Sequence, residues 1–172
     1  SIARNIAIKR STGEYILPLD ADDRIGPNYL EEAVKILDNH NKIGIVYCDA
    51  ELFGDGNGRW ELPEYSLEKI LMGNLIFCCA LFRKNDYLET IGFNPNMIYG
   101  WEDWDFWLSL IERGKEVYKL PGIHFYYRIK NSGSREANLQ MSLNEQKLLL
   151  KTIYLNHLDF YLEKMGHPIE LY

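Results

Sequence analysis

An α/β layered fold is predicted for this chain. Short β-branched runs alternate with helical periodicities, an acidic cluster closes the first of those runs, and the length suits one packed domain or a core with one appended element. The chain has 172 residues, 47% hydrophobic and 26% charged, which sets it apart from disordered and collagen-like chains. Its 19 Lys and Arg against 25 Asp and Glu give a formal charge of −6. Such an acidic chain has no broad footprint for a phosphate backbone, so nucleic acid is not expected as a partner. The longest apolar run, Leu75 to Phe82, falls far short of the roughly 20 residues of a membrane-spanning helix. Cys48, Cys78 and Cys79 match neither a zinc spacing nor a disulfide framework, which suits a reducing, cytoplasmic setting. The chain begins at Ser1 without a secretory pattern and reads from its first residues like the middle of a fold, so a piece of a longer protein is expected.

The elements follow in order. Tyr15 to Leu19 reads as a buried strand ending at Asp20, weakened by Pro18. Gly26-Pro27 opens a helix to about Asn39, with Leu30, Ala33, Val34 and Leu37 at helical spacing. Ile43 to Tyr47 is a β-branched second strand ending near Asp49. Gly54 to Gly58 must be a turn, the tip of a surface hairpin. Ser66 caps a short helix to about Met72, and Phe77 to Arg83 is strand-like. After a loop from Gly92 to Gly100, Phe106, Trp107, Leu110 and Ile111 mark one face of a helix that Gly114 ends. Val117 to Lys119 and Ile123 to Ile129 are the last strands. A long helical stretch from Leu143 to Met165 carries Leu148, Leu149, Leu155, Leu158 and Leu162. Its stripe covers the open side of the sheet, docks a partner chain, or meets an anionic membrane surface, in that order of preference.

Two carboxylate clusters carry the chemistry. Asp20-Ala21-Asp22-Asp23 sits at the carboxyl end of a strand, where open α/β sheets place ligand crevices. In an extended segment Asp20 and Asp22 share a side and converge on a hard cation; Mg²⁺ or Mn²⁺ shared with a diphosphate suits such a pair. An EF-hand is rejected, because Arg24 and Ile25 stand at its fifth and sixth positions. A solvated acidic turn is the plain alternative. In Glu102-Asp103-Trp104-Asp105, helical spacing turns Asp103 inward with Phe106 and Trp107. It is either a structural acid satisfied by backbone N–H groups or a carboxylate facing a cavity, with a raised pKa suited to general-base work. Trp101, Trp104 and Trp107 suit either core packing or the apolar faces of sugars, with packing preferred for Trp107. Cys78 and Cys79 read as core thiols, and His40, His157 and His167 as ordinary surface or packing residues.

Together, Ala3-Arg4-Asn5, Thr12-Gly13-Glu14-Tyr15-Ile16, Leu19-Asp20-Ala21-Asp22-Asp23 and Gly100-Trp101-Glu102-Asp103-Trp104-Asp105-Phe106-Trp107-Leu108 resemble the inverting family 2 glycosyltransferases. Smaller agreements are Val46 to Asp49, Phe82-Arg83-Lys84, Ile91-Gly92-Phe93 and Tyr126-Tyr127-Arg128 with Ser132 and Ser134. The resemblance implies a GT-A (Rossmann-like) mixed sheet flanked by helices, plus a C-terminal helix. It implies transfer of a sugar from a nucleotide-sugar donor, of the UDP class, to a carbohydrate or lipid-linked acceptor hydroxyl with inversion. Asp103 would be the base, Glu102 would orient a sugar, and Asp20 and Asp22 would hold Mn²⁺ or Mg²⁺ on the diphosphate. Arg4 and Lys130 would contact the nucleotide or diphosphate, and Trp101, Trp104 and Asp105 the acceptor or sugar.

The departures from that pattern are specific. The strand and βα units that open family members do not precede Ser1, so the nucleotide-binding part is expected outside this chain. Lys130 follows Arg128-Ile129 where many relatives carry His, with His124 on the approaching strand. Ile91-Gly92-Phe93 replaces Gly-Gly-Phe. Residues 1–135 are expected to be the C-terminal portion of the catalytic domain and 136–172 a helical extension, able to touch a membrane surface or a second copy. Two alternatives remain at this point: a non-catalytic carbohydrate- or nucleotide-binding module of the same fold, and a Mg²⁺-dependent phosphohydrolase.

Overall fold

The computed structural model describes residues 1–60, 62–130 and 141–166. Among the described residues thirteen elements follow one another: α1 (Ile2–Arg10), β1 (Tyr15–Ile16), β2 (Arg24–Ile25), α2 (Tyr29–Asn39), β3 (Ile43–Gly54), β4 (Gly58–Trp60), α3 (Leu67–Met72), β5 (Leu81–Arg83), α4 (Lys84–Leu88), α5 (Glu102–Ile111), β6 (Glu116–Ile129), α6 (Leu143–Asn156) and α7 (Leu158–Met165). They build a six-stranded mixed sheet in the order β1-β5-β3-β6-β2, with β4 continuing beside β3. The central pair β3–β6 is parallel and every other pair antiparallel. This is the α/β mixed sheet with flanking helices expected from the sequence.

β3 is buried on both faces from Ile43 to Ala50, as a central strand between layers must be. It runs beyond the expected end at Asp49 to the hairpin with β4, where Leu52 faces Gly58. The two expected strands around Pro121-Gly122 are one strand, β6. Its pairing with β3 steps from Cys48–Leu120 to Asp49–Ile123, so the Pro-Gly pair forms a bulge instead of a break. Past that bulge, alternation points Phe125 and Tyr127 to one face and His124 to the other. There His124 stacks on Tyr29 of α2 and hydrogen-bonds the Pro121 carbonyl.

Other expectations are corrected. The strand expected over Tyr15–Leu19 closes after Ile16, ahead of Pro18, which has no N–H for a ladder. The strand expected from Phe77 is paired only from Leu81 to Arg83. In α2 Ala33 and Leu37 are fully buried as expected, but Leu30 is exposed and Tyr29 takes its place on the inner face. Ser66 does cap α3, accepting from the Lys69 N–H. The C-terminal stretch breaks at His157 into α6 and α7. Its inner face is Leu149, Ile153, Phe160 and Tyr161, whereas Leu148, Leu155 and Leu158 face outward. These helices lie against α5 and α3: Asn156 bonds Asp105, and the Tyr161 hydroxyl donates to the Leu71 carbonyl. Among the described residues no helix is long and apolar enough to cross a membrane. Ser132, Ser134, Arg135 and His167 lie outside the described residues.

Candidate active site

The helix α1, unforeseen in the sequence, explains the Ala-Arg-Asn element. Asn5 is a staple: its side chain donates to the Phe93 carbonyl and accepts from the Phe93 N–H and the Tyr87 hydroxyl. Gly92, at φ 72°, makes room for it, since a Cβ there would fall 2.6 Å from the Tyr87 ring and 2.8 Å from Asn5 Oδ1. With Asn5 fixed, Arg4 reaches across the molecule. One guanidinium nitrogen donates to Glu102 Oε1 at 2.5 Å and another to Asp20 Oδ1 at 3.0 Å. Two carboxylate clusters far apart in sequence are thus tied through one cation.

They line a pocket of about 540 Å³ with Asp23, Asn74, Cys78, Trp101 and Asp103, within the usual size of a ligand site. Residues 20–23 form a turn closed by the Asp23 N–H on the Asp20 carbonyl. Asp20 and Asp23 therefore line the pocket, and Asp22 turns aside to Lys130 at 2.7 Å. This corrects the expectation that Asp20 and Asp22 share one side, which assumed an extended backbone. Arg128 holds the turn, its N–H on Asp23 and its Nε on the Asp22 carbonyl. Lys130 keeps the Asp22 carboxyl below its ordinary value. Burial pushes Asp23 up to about 6, against the opposing bond from the Arg128 N–H.

Asp103 sits in the first turn of α5, where the helix dipole favours an anion. Its pKa is raised to about 6, first by burial and then by the Glu102 charge; bonds from the Trp104 N–H and Asn74 and the charge of Arg4 pull the other way. Asn74 donates to Asp103 Oδ1 at 3.1 Å, a partner that no motif signalled. Asp103 thus faces the pocket and also accepts the Trp104 N–H, so features of both expected readings are present. Trp101 caps α5 in the left-handed region at φ 59°, which costs a bulky side chain about 1–3 kcal/mol and marks a site held by its surroundings. Burial first, and the Asp103 charge next, hold the Cys78 thiol well above its usual pKa, which favours its less reactive protonated form.

Trp104 and Asp105, expected to contact acceptor or sugar, do not line the pocket. Trp104 is 2% exposed and donates its indole N–H to the Ile70 carbonyl. Trp107 does the same to Ile76, so the two tryptophans brace the segment that presents Asn74 and Cys78. Asp105 is 1% exposed and turned to the rear. It accepts from Asn156 and faces His157, whose Nδ1 meets Glu112 at 2.8 Å. His157, expected to be ordinary, is thus the centre of a buried charge cluster. Sequence reasoning also missed the aromatic side of the pocket, formed by Trp60, Phe77, Phe125 and Tyr127. Trp60 follows a glycine-rich turn, and nothing local shows that it folds back over β6.

A hard cation would have to be held by Asp20 or Asp22. Both are oxygen donors that keep more than a third of their side-chain surface exposed, and Mg²⁺ or Mn²⁺ needs only one or two carboxylates when phosphate and water complete its shell. The turn directs the two carboxylates apart, Asp20 to Arg4 and Asp22 to Lys130, so one of them at a time, with phosphate and water, fits a hard cation. Among the described residues no three candidate ligands converge into a cage that would hold the ion alone.

Comparison with known proteins bears on the family and the fold. The model of glycosyl transferase family 2 matches residues 1–91. The minor teichoic acid biosynthesis protein GgaB of Bacillus subtilis is 32% identical over 143 residues, covering 78% of this chain and 16% of that protein. The poly(ribitol-phosphate) β-N-acetylglucosaminyltransferase TarS of Staphylococcus aureus is 23% identical over 170 residues, covering 94% of this chain and 29% of that one. The crystal structure of S. aureus TarS 1–349 in complex with UDP-GlcNAc superimposes with a TM-score of 0.60 at 17% identity, over 94% of this chain and 53% of that chain. This chain therefore spans about half of that structure and far less of GgaB. The shared fold is the GT-A arrangement, and with the family model covering more than half of its residues, the chain belongs to glycosyl transferase family 2.

Proposed function

We propose that this chain carries the catalytic half-site of an enzyme that moves a sugar from a nucleotide-sugar donor to an acceptor hydroxyl with inversion. The carrying observation is the bridge from Asp20 through Arg4 to Glu102, which gathers both carboxylate clusters at one pocket beside Asp103. In this reading Asp103 takes the proton of the acceptor hydroxyl as that oxygen attacks the anomeric carbon opposite the leaving diphosphate. A carboxyl near 6 is ionised at neutral pH and more basic than an ordinary aspartate. Asn74 aims it, while Arg4 and Lys130 supply positive charge beside the diphosphate. A Mn²⁺ or Mg²⁺ held by Asp20 or Asp22 would neutralise charge on the leaving group when bound. The UDP-GlcNAc complex of TarS, a protein of the same fold, supports a UDP-sugar as donor. A carbohydrate or lipid-linked acceptor is proposed with it.

The test is transfer or donor hydrolysis by the full-length protein, with the anomeric configuration of the product read by NMR. Asp103→Asn is expected to lower kcat by about 10²–10⁴-fold while calorimetry gives unchanged UDP affinity with and without Mn²⁺. An Asp103→Asn protein that retains full turnover removes Asp103 from this role. UDP binding by the unaltered protein with no turnover of any UDP-sugar would favour the non-catalytic module.

A further inference from the structure

The reverse face of the sheet carries a pair of arginines outside the pocket. β6 lies between β2 and β3, and the register sets Arg24 opposite Tyr126 and Phe53 opposite Arg128. Alternation therefore sends Arg24, Phe53, Tyr126 and Arg128 to the face away from Phe125 and Tyr127, which line the pocket. On that reverse face α2 is packed where Tyr29 stacks on His124. Beyond His124, Phe53, Tyr126 and Arg128 are half-buried and Arg24 is exposed. Both guanidinium groups lie over one ring: the Arg24 carbon is 4.9 Å from the Phe53 centroid and the Arg128 carbon 4.4 Å.

Two like charges gathered on one ring favour a counter-anion, and the neighbouring acids do not provide one. Asp22 pairs with Lys130, and Asp23 accepts the Arg128 backbone N–H. Arg128 spends its Nε on the Asp22 carbonyl, which leaves its two terminal nitrogens as donors. Glu51 shares the face by register but stands opposite Tyr126. Among the described residues neither guanidinium is in an ion pair, and Arg24 is anchored by the ring alone.

We propose that Arg24 and Arg128, stacked on Phe53, form a binding site for a phosphate monoester on the reverse side of the Asp20–Asp23 turn. Guanidinium forks take oxyanions bidentately, and stacking on an aromatic ring fixes them beforehand. A carboxylate has two oxygens and one charge, which a single fork satisfies. A phosphate monoester brings three free oxygens and about 1.5–2 negative charges near pH 7, enough for both arginines. The site reverses the sign of a chain whose formal charge is −6. It also touches the pocket indirectly, because Arg128 holds the turn that presents Asp20 and Asp23. The proposal does not depend on the glycosyl-transfer reading, since none of its residues lines the pocket.

The test is phenylglyoxal modification of the full-length protein, with and without UDP, read at Arg24 by peptide mass spectrometry. Glycerol 3-phosphate is expected to slow modification of Arg24 by about fivefold or more, equally in both conditions, and glucuronate at matched ionic strength to leave the rate unchanged. Phosphatidylcholine vesicles with and without phosphatidic acid separate the sources: protection by the soluble ester assigns a soluble phosphate, and protection by the phosphatidic acid vesicles alone assigns a lipid headgroup. In calorimetry Arg24→Gln should weaken binding of the protecting ligand by about tenfold or more. Arg24→Lys should recover only part of it, because an ammonium lacks the planar fork. Arg24 is exposed, so both variants are expected to keep the parental Tm, which separates lost binding from misfolding. An Arg24 rate unaffected by ester and vesicles, equal protection by glucuronate, protection that UDP abolishes, or binding undiminished in Arg24→Gln overturns the proposal.

Discussion

Asp103 lies at the balance of two opposed local effects. Burial and Glu102 raise its pKa, while Asn74, the Trp104 N–H and Arg4 lower it. Because the ionised form is the working base, the acid limb of kcat should rise through about pH 6. Asn74→Ala removes a donor to the carboxylate and should move that limb to higher pH; Glu102→Gln removes a like charge and frees Arg4, and should move it lower. A pH–rate profile of the three proteins measures both displacements, and identical limbs would show that Asp103 is not the group being titrated. Lys130 illustrates the opposite situation. Its ammonium lies on Asp22, so one of the two carboxylates expected to hold a metal already has a counter-charge, and a cation and Lys130 compete for the same oxygens.

At the scale of elements, α5 joins the pocket to the rear of the molecule. Its first turn carries Glu102 and Asp103, and every residue from Trp104 to Ile111 is buried. Behind it, His157 sits at the break between α6 and α7 and faces Asp105 and Glu112 of α5. Burial alone would lower the imidazole pKa, but the bonds and charges of these two acids outweigh it and hold the group at about 9 against an ordinary 6.5. A base whose folded pKa is raised stabilises the fold fully below about 6.5 and loses that contribution as pH climbs through 9. Thermal unfolding between pH 6 and 10 should therefore show Tm falling across that window. His157→Leu should lower stability at pH 7 by about 3 kcal/mol, because it leaves buried Asp105 without its cation, and should flatten the pH dependence. An unchanged slope in the variant would assign the pH dependence to other groups.

Over the whole molecule, the C-terminal helices complete the hydrophobic core. Leu149, Ile153, Phe160 and Tyr161 belong to the same buried cluster as the sheet and α5. Burying each contributes about 1.5–3 kcal/mol, together comparable to the roughly 5–15 kcal/mol that holds a domain folded. A chain ending after Met141 is expected to be insoluble or to lack a cooperative unfolding transition by circular dichroism. A soluble, cooperatively folded product would make residues 136–172 the separable extension proposed from the sequence.

Local sequence was enough for features whose causes are local. Ser66 caps a helix through its own side chain, and β-branched residues make Ile43–Tyr47 a strand. The resemblance read from short motifs named the family and the GT-A fold, because those motifs keep a characteristic order and spacing. Features made by distant partners were not legible. On α2 the inner face takes Tyr29 in place of Leu30 beside the expected Ala33 and Leu37, and an assumed extended segment put Asp22 in the pocket where the turn puts Asp23. Trp104 and Asp105 read as ligand contacts because they adjoin Asp103, yet each helical step turns a side chain by about 100°, sending one to α3 and the other to α6. The residues alone therefore determined which groups could do chemistry, through residue type, spacing and caps acting over a few positions. Tertiary structure decided which of them meet: Arg4 with Glu102, Asn74 with Asp103, His157 with Asp105 and Trp60 with Tyr127 are contacts between elements, set by packing that no short stretch of sequence contains.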